Sequence, residues 1–248
     1  MLDINFDFTS DSPHYWDDYW NNNYGLGGGN CDPDSASPTL RKYHKELWSK
    51  QLPNGEYMDL QYGNRSQYLT WRNQEFSSDS IIASFRYRKT KGLIEEVMRS
   101  LPDYRLFFEN YVHKSYTIGG MIIFPKHKGS INQNRGTNKF ICDRWDLTLE
   151  CIRRFYIGEW SPLEATLQKD KVFFELFIDF KGYVDYFFLQ DCVTDNYSAV
   201  NIWLGKDDFN EGPLPKTVEE YLSFIDKEMC FLECRNKRIN EYALLNTE

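Results

Sequence analysis

Tyr116-Thr117-Ile118-Gly119-Gly120-Met121-Ile122-Ile123-Phe124 is the most strand-like run in the sequence, and Pro125 closes it. β-Branched and aromatic residues suit a pleated, covered surface, and proline cannot donate to a ladder. Upstream, Tyr57-Met58-Asp59-Leu60, Tyr68-Leu69-Thr70-Trp71 and Ile81 to Tyr87 predict shorter strands, and Pro53-Asn54-Gly55 predicts a turn. A sheet this small has to be covered, and the periodicity elsewhere supplies the cover. Ser37 can cap a helix with Pro38 in its first turn, and Leu40, Tyr43, Leu47 and Trp48 then fall on one face through about Lys50. Further helices are predicted over 93–101, 104–112 and 140–156. Two more open at Ser161-Pro162-Leu163-Glu164 and Thr217-Val218-Glu219-Glu220, both of capping-box type, and run to about Phe180 and Ile239. Gly182 is predicted to break the first of these, with a buried helix or strand over Tyr183 to Val193.

The sequence therefore predicts an α+β fold. A small, mostly antiparallel sheet from the N-terminal half packs on a mainly helical C-terminal half. Residues 31–248 read as one domain. Residues 1–30, with Trp16-Asp17-Asp18-Tyr19-Trp20-Asn21-Asn22-Asn23-Tyr24 and the glycines after them, have no period and predict an irregular aromatic arm.

Composition bounds the function. Of the 248 residues 17% are aromatic, which excludes a disordered chain and predicts a core built on rings. A net charge of −8 makes non-specific duplex binding a poor expectation, since that binding relies on cations displacing phosphate counterions. The most apolar stretch, Phe173 to Phe188, is interrupted by Glu175, Asp179, Lys181 and Asp185, so no membrane span is expected. Met1 to Ser10 lacks the basic start of a signal peptide. The six cysteines have neither framework nor zinc-site spacing, and Cys230 and Cys234 stand one helical turn apart. Reduced thiols and a cytoplasmic location are the expectation.

One segment could carry chemistry. Pro125 to Gly136 is rich in Asn, Ser, Gly and basic residues, and as a loop before a helix it could bring Asn132 and Arg135 onto an anion. The helix after it carries Asp143, Arg144, Asp146, Glu150, Arg153 and Arg154. At three- and four-residue steps Asp143, Asp146 and Glu150 share a stripe that could hold Mg²⁺ or act as acid and base, with Arg154 beside it. The bland alternative is a solvated or structural face, with Glu150 and Arg154 a helical ion pair. Arg41, His44 and Lys50 cluster on the first helix as a lesser binding candidate, against which stands a plain surface histidine.

Several blocks together resemble a known family. They are Ser37 to Lys50 with Leu52-Pro53-Asn54-Gly55, then Tyr116 to Met121, then Ile131-Asn132 with Arg135-Gly136. Asp143-Arg144 with Asp146 through Arg154, and Asp179 to Asp185, complete the set. The family is a widespread bacterial one of unknown function, and the likeness covers about residues 32–240. It implies a bacterial or phage-related source and brings no activity or site residues. Two functions are left to weigh. One is an enzyme acting on a phosphate-bearing substrate, nucleotide or nucleic acid, with Asn132, Arg135, Arg144 and Arg153 binding it and Asp143, Asp146, Glu150 and Arg154 as catalytic groups. The other is a non-catalytic protein that binds a protein partner in a bacterial stress or phage-defence assembly.

Overall fold

A computed structural model describes residues 2–12, 15, 32–64, 67–83, 85 and 90–246. Most of the expected aromatic arm, and the end of the expected strand at Ile81–Tyr87, lie outside the described residues. The described start of the arm holds a single 3-10 turn, Phe8–Asp11, whose Phe8 is fully buried.

The chain is α+β. Four strands, β1 (Gln61–Tyr62), β2 (Leu69–Trp71), β3 (Gln74–Ser80) and β4 (Met121–Pro125), form one antiparallel sheet in that order. β2 and β3 are joined by Arg72-Asn73, and Arg72 takes the positive φ of 54° that such a tight hairpin demands. Every residue of β4 is buried, and Ser78 of β3 pairs with Ile123. Two short helices at the start, α1 (Pro33–Ala36) and α2 (Pro38–Trp48), follow the sequence closely. The Ser37 hydroxyl accepts from the Leu40 N–H at 2.9 Å, and α2 buries Leu40, Tyr43, His44, Leu47 and Trp48. α3 (Lys91–Ser100) and α4 (Tyr104–Ser115) lead into β4.

The strand predicted from Tyr116 begins late, at Met121. Ile118–Gly120 is a 3-10 turn, and its two glycines are there for space. A Cβ on Gly120 would meet the Ser115 carbonyl oxygen at 1.8 Å, and one on Gly119 would meet the Leu232 carbonyl oxygen at 2.7 Å. The other misplaced strand is more instructive. β3 is the polar run Gln74–Ser80, where only Phe76 and Ser78 are buried, while Ile81, Ile82 and Ala83 after it fill the core outside any strand.

The C-terminal half is helical: α5 (Ile131–Thr137), α6 (Trp145–Ile157), α7 (Glu164–Lys169), α8 (Lys171–Glu175), α9 (Phe180–Tyr186) and α10 (Val218–Leu245). The single helix expected from Ser161 to Phe180 is in fact α7 and α8. Ser161 is buried and caps neither of them; Leu163 holds the N-cap position of α7. Gly182 does not break a helix either. It lies in α9, capped by Asp179, at a point where a Cβ would meet the Phe177 carbonyl oxygen at 2.1 Å. The Thr217 cap forms as expected and accepts from the Glu220 N–H at 3.2 Å; α10 then runs on to Leu245. The buried residues form one cluster from Phe8 to Ile239, rich in rings such as Trp48, Phe174, Phe177, Tyr183 and Phe187. Among the described residues no helix is long and apolar enough to cross a membrane.

Candidate functional site

The segment expected to form an anion loop is itself helical. α5 spans Ile131–Thr137, and its asparagines satisfy tertiary partners. Asn132 Nδ2 donates to Ser77 Oγ at 2.9 Å, and Asn134 Nδ2 donates to Thr166 Oγ1 at 2.6 Å. Arg135 is fully buried. Its Nη1 donates to Asp79 Oδ2 at 3.0 Å and to the Ser80 carbonyl at 2.7 Å. Its Nη2 donates to the Asp143 carbonyl at 2.7 Å, and Nε to Thr148 Oγ1 at 3.3 Å. The Asp143 carboxylate lies 3.4 Å from Nη1. Burial raises the pKa of Asp79, and Arg135 opposes that shift.

The carboxylate stripe does not form. Cys142 and Asp143 take φ of 48° and 66°, which ends any helix there; α6 starts at Trp145, so Asp143 is off its surface. Asp146 and Glu150 are buried in α6 and are taken separately. Arg144, 1% exposed, forks onto both oxygens of Asp146, and Asp146 Oδ2 also accepts from the Trp203 N–H at 2.8 Å. Glu150 accepts from Arg153 Nε at 2.7 Å and from Arg154 Nε at 2.7 Å. Arg154 Nη2 donates on to the Asp207 carbonyl. Among the described residues no group of three or more His, Cys, Asp or Glu side chains could hold a metal ion. The arrangement corrects the Mg²⁺ expectation: these acids answer arginines, because a buried charge without a partner is too costly.

The lesser cluster separates in a different way. Arg41 donates to the Tyr68, Gly63 and Gln67 carbonyls and so holds the β1–β2 connection. His44 is buried beneath Tyr68; burial, and then the charge of Arg235, lower its pKa to about 3, so it is neutral at physiological pH. Lys50 lines open space. Its ammonium donates to the Tyr186 carbonyl at 2.8 Å, and four rings surround it: Phe188 at 4.0 Å, Tyr186 at 4.4 Å, Tyr242 at 4.6 Å and Trp48 at 5.1 Å. Lys50, Gln51 and Tyr242 form a wall shared by two clefts of about 530 Å³ and 760 Å³. Behind that wall Arg235 is fully buried, and gives its hydrogen bonds to the carbonyls of Phe187, Gly119 and Met121. Among the described residues neither Lys50 nor Arg235 has a carboxylate partner. Burial and Arg235 push the Lys50 pKa well below the usual range, while the ring faces favour its charged form. Ile178 lines the larger cleft, 64% exposed and at φ 69°, a backbone state that a β-branched residue rarely takes.

The sequence reading missed Arg235 and the rings around Lys50. Trp48 and Lys50 are two residues apart, but Tyr186, Phe188 and Tyr242 come from far along the chain, where no local pattern marks them.

The profile of a family of unknown function, DUF6994, matches residues 2–239, and the chain belongs to that family. No curated protein and no solved structure matches the chain.

Proposed function

We propose that the protein is a non-catalytic binding protein whose ligand is a small organic anion, carboxylate or phosphate, with an apolar or aromatic body. It binds in the clefts beside Lys50. One observation carries this reading: Lys50 faces both clefts with no carboxylate partner among the described residues, and Arg235, hydrogen-bonded to carbonyls alone, lies behind it. The acids that also line the clefts are engaged elsewhere, Glu46 with Lys42, Asp179 with the Gly182 N–H and Asp185 with Lys181. A cation without a carboxylate of its own, beside aromatic rings and in clefts of ligand size, suits an anion with an apolar body. The phosphate-bearing ligand expected from the sequence keeps its charge class and moves from Arg135 to Lys50. The enzyme reading required three acids side by side; Asp146 and Glu150 are buried in arginine pairs, and Asp143, partly exposed, lies off their helix.

Exposed Tyr57 and Ile178 in the cleft walls support a protein partner as a second reading. A thermal-shift panel of aromatic carboxylates and organic phosphates tests the first. At one hundred times its dissociation constant a true ligand adds about 2.7 kcal/mol of stability. The expected result is a clear rise in Tm for some member with the natural protein and none with Lys50→Met, which keeps the stem and removes the charge. Equal shifts in both proteins would remove Lys50 from the site.

A further inference from the structure

Helix α10 buries one side through residues such as Tyr221, Phe224, Leu232 and Ile239 and turns another outward. On the outward side are Cys230, exposed, and Cys234, half-buried. The other described thiols, Cys142, Cys151 and Cys192, are buried. Side chains four apart on a helix are surface neighbours, with Cβ atoms about 5–6 Å apart. The two thiols interact: Cys234 is raised by burial first, then by Asp191 and by the thiol of Cys230, while Lys237 on the next turn lowers it.

We propose that Cys230 and Cys234 form a chelating dithiol site for a thiophilic centre satisfied by two sulfur ligands, of the monosubstituted trivalent arsenic type. Geometry selects this class over two others. A disulfide needs Cβ atoms about 3.5–4.5 Å apart, so the intact helix holds this pair too wide for a direct sulfur–sulfur bond. A bridging atom with bonds of about 2.3 Å to each sulfur spans the gap without unwinding a turn. A structural zinc ion wants four ligands, and no third His, Cys, Asp or Glu joins the pair among the described residues. The carboxylate whose charge reaches Cys234, Asp191, is held at both oxygens by Arg238, at 2.6 Å and 3.0 Å.

The exchange balances without an oxidant. An arsenic(III) carrying one organic group and two hydroxyls loses both hydroxyls. Each leaves as water with one thiol proton, and two arsenic–sulfur bonds replace two arsenic–oxygen bonds.

The test uses the full chain, reduced, with one equivalent of phenylarsine oxide, followed by intact mass and thiol titration. The expected result is one phenylarsenic adduct per chain, two thiols lost from the titration, and release by a competing small dithiol but not by a monothiol. Cys230→Ser and Cys234→Ser should each weaken binding by a factor of roughly 100 or more, since chelation is lost. Both positions reach solvent, and circular dichroism confirms that the variants keep their helix. Cys31→Ser should bind as the natural protein does. No adduct, or an adduct kept at full strength in either single variant, overturns the proposal. Zinc alone bound as tightly as the arsenical would overturn its selectivity.

Discussion

The arginines of α5 and α6 and the cations around α2 carry the same charge in opposite circumstances. Arg135, Arg144, Arg153 and Arg154 each meet a carboxylate, the first two inside the core and the last two at its edge. Lys50 and Arg235 meet carbonyl groups and ring faces, with two clefts beside them. Charge density alone therefore marks nothing. The first region is richer in charged residues and is spent on itself, while the second holds cations answered by carbonyls and rings and by no carboxylate of their own.

Removing an arginine from the closed region should have the largest effect. Arg144→Ala leaves Asp146 buried without its fork, and should cost about 3–5 kcal/mol in a urea melt. Arg135→Ala should show a loss of the same kind. A Tm left nearly unchanged by Arg135→Ala would reopen the central segment as a site. Glu228 comes next. It is fully buried on α10 against Tyr111 Oη at 2.6 Å and the Ala83 N–H at 2.9 Å, and burial raises its pKa from 4.5 to about 8. A raised carboxyl pKa means that the folded state keeps a proton the unfolded state releases. This contribution is thus complete below pH 4.5 and is lost as pH climbs toward 8, at roughly 1 kcal/mol per pH unit. Glu228→Gln should flatten that decline and be the more stable protein at pH 8; parallel stability–pH curves would show that Glu228 is ionised in the fold.

Smaller effects are expected at the clefts. Ile178→Gly removes an exposed side chain and a left-handed strain of about 1–2 kcal/mol, offset in part by the backbone entropy of glycine. A gain of up to about 1 kcal/mol is expected in the same melt, with weaker binding of any cleft ligand. Lys50→Met should change stability least of all, because its rings can close on a methionine. A loss as large as that of Arg144→Ala would make Lys50 a structural cap of α9 and abolish the contrast between the two regions.

Local chemistry was legible wherever it was complete within a few residues. Ser37-Pro38 and Thr217 start helices because cap and first turn are contiguous. β3 was illegible because its strand character comes from pairing with β4, more than forty positions on, and not from its own polar residues. The acid stripe failed at one point: Asp143 was placed on a helix that positive φ at Cys142 and Asp143 prevents. α5 looked like a loop because Asn and Gly favour turns, but Ser77 and Thr166 hold its asparagines from elsewhere in the fold. The ring cage of Lys50 could not be seen in advance, since its members meet only after folding.

The bond between α10 and the turn before β4 has a consequence for synthesis. Arg235 and Asn236 hold the Gly119 and Met121 backbone across separations of 114–117 residues. At about 5–20 residues per second, a ribosome delivers those clamps on the order of 10 seconds after β4 has been made. Through that interval Met121-Ile122-Ile123-Phe124, wholly buried in the finished protein, has β3 to pair with but not the clamps of α10. The nascent chain is thus most vulnerable to association in mid-translation, and slower initiation or a lower temperature should raise its soluble yield more than any change to the finished surface.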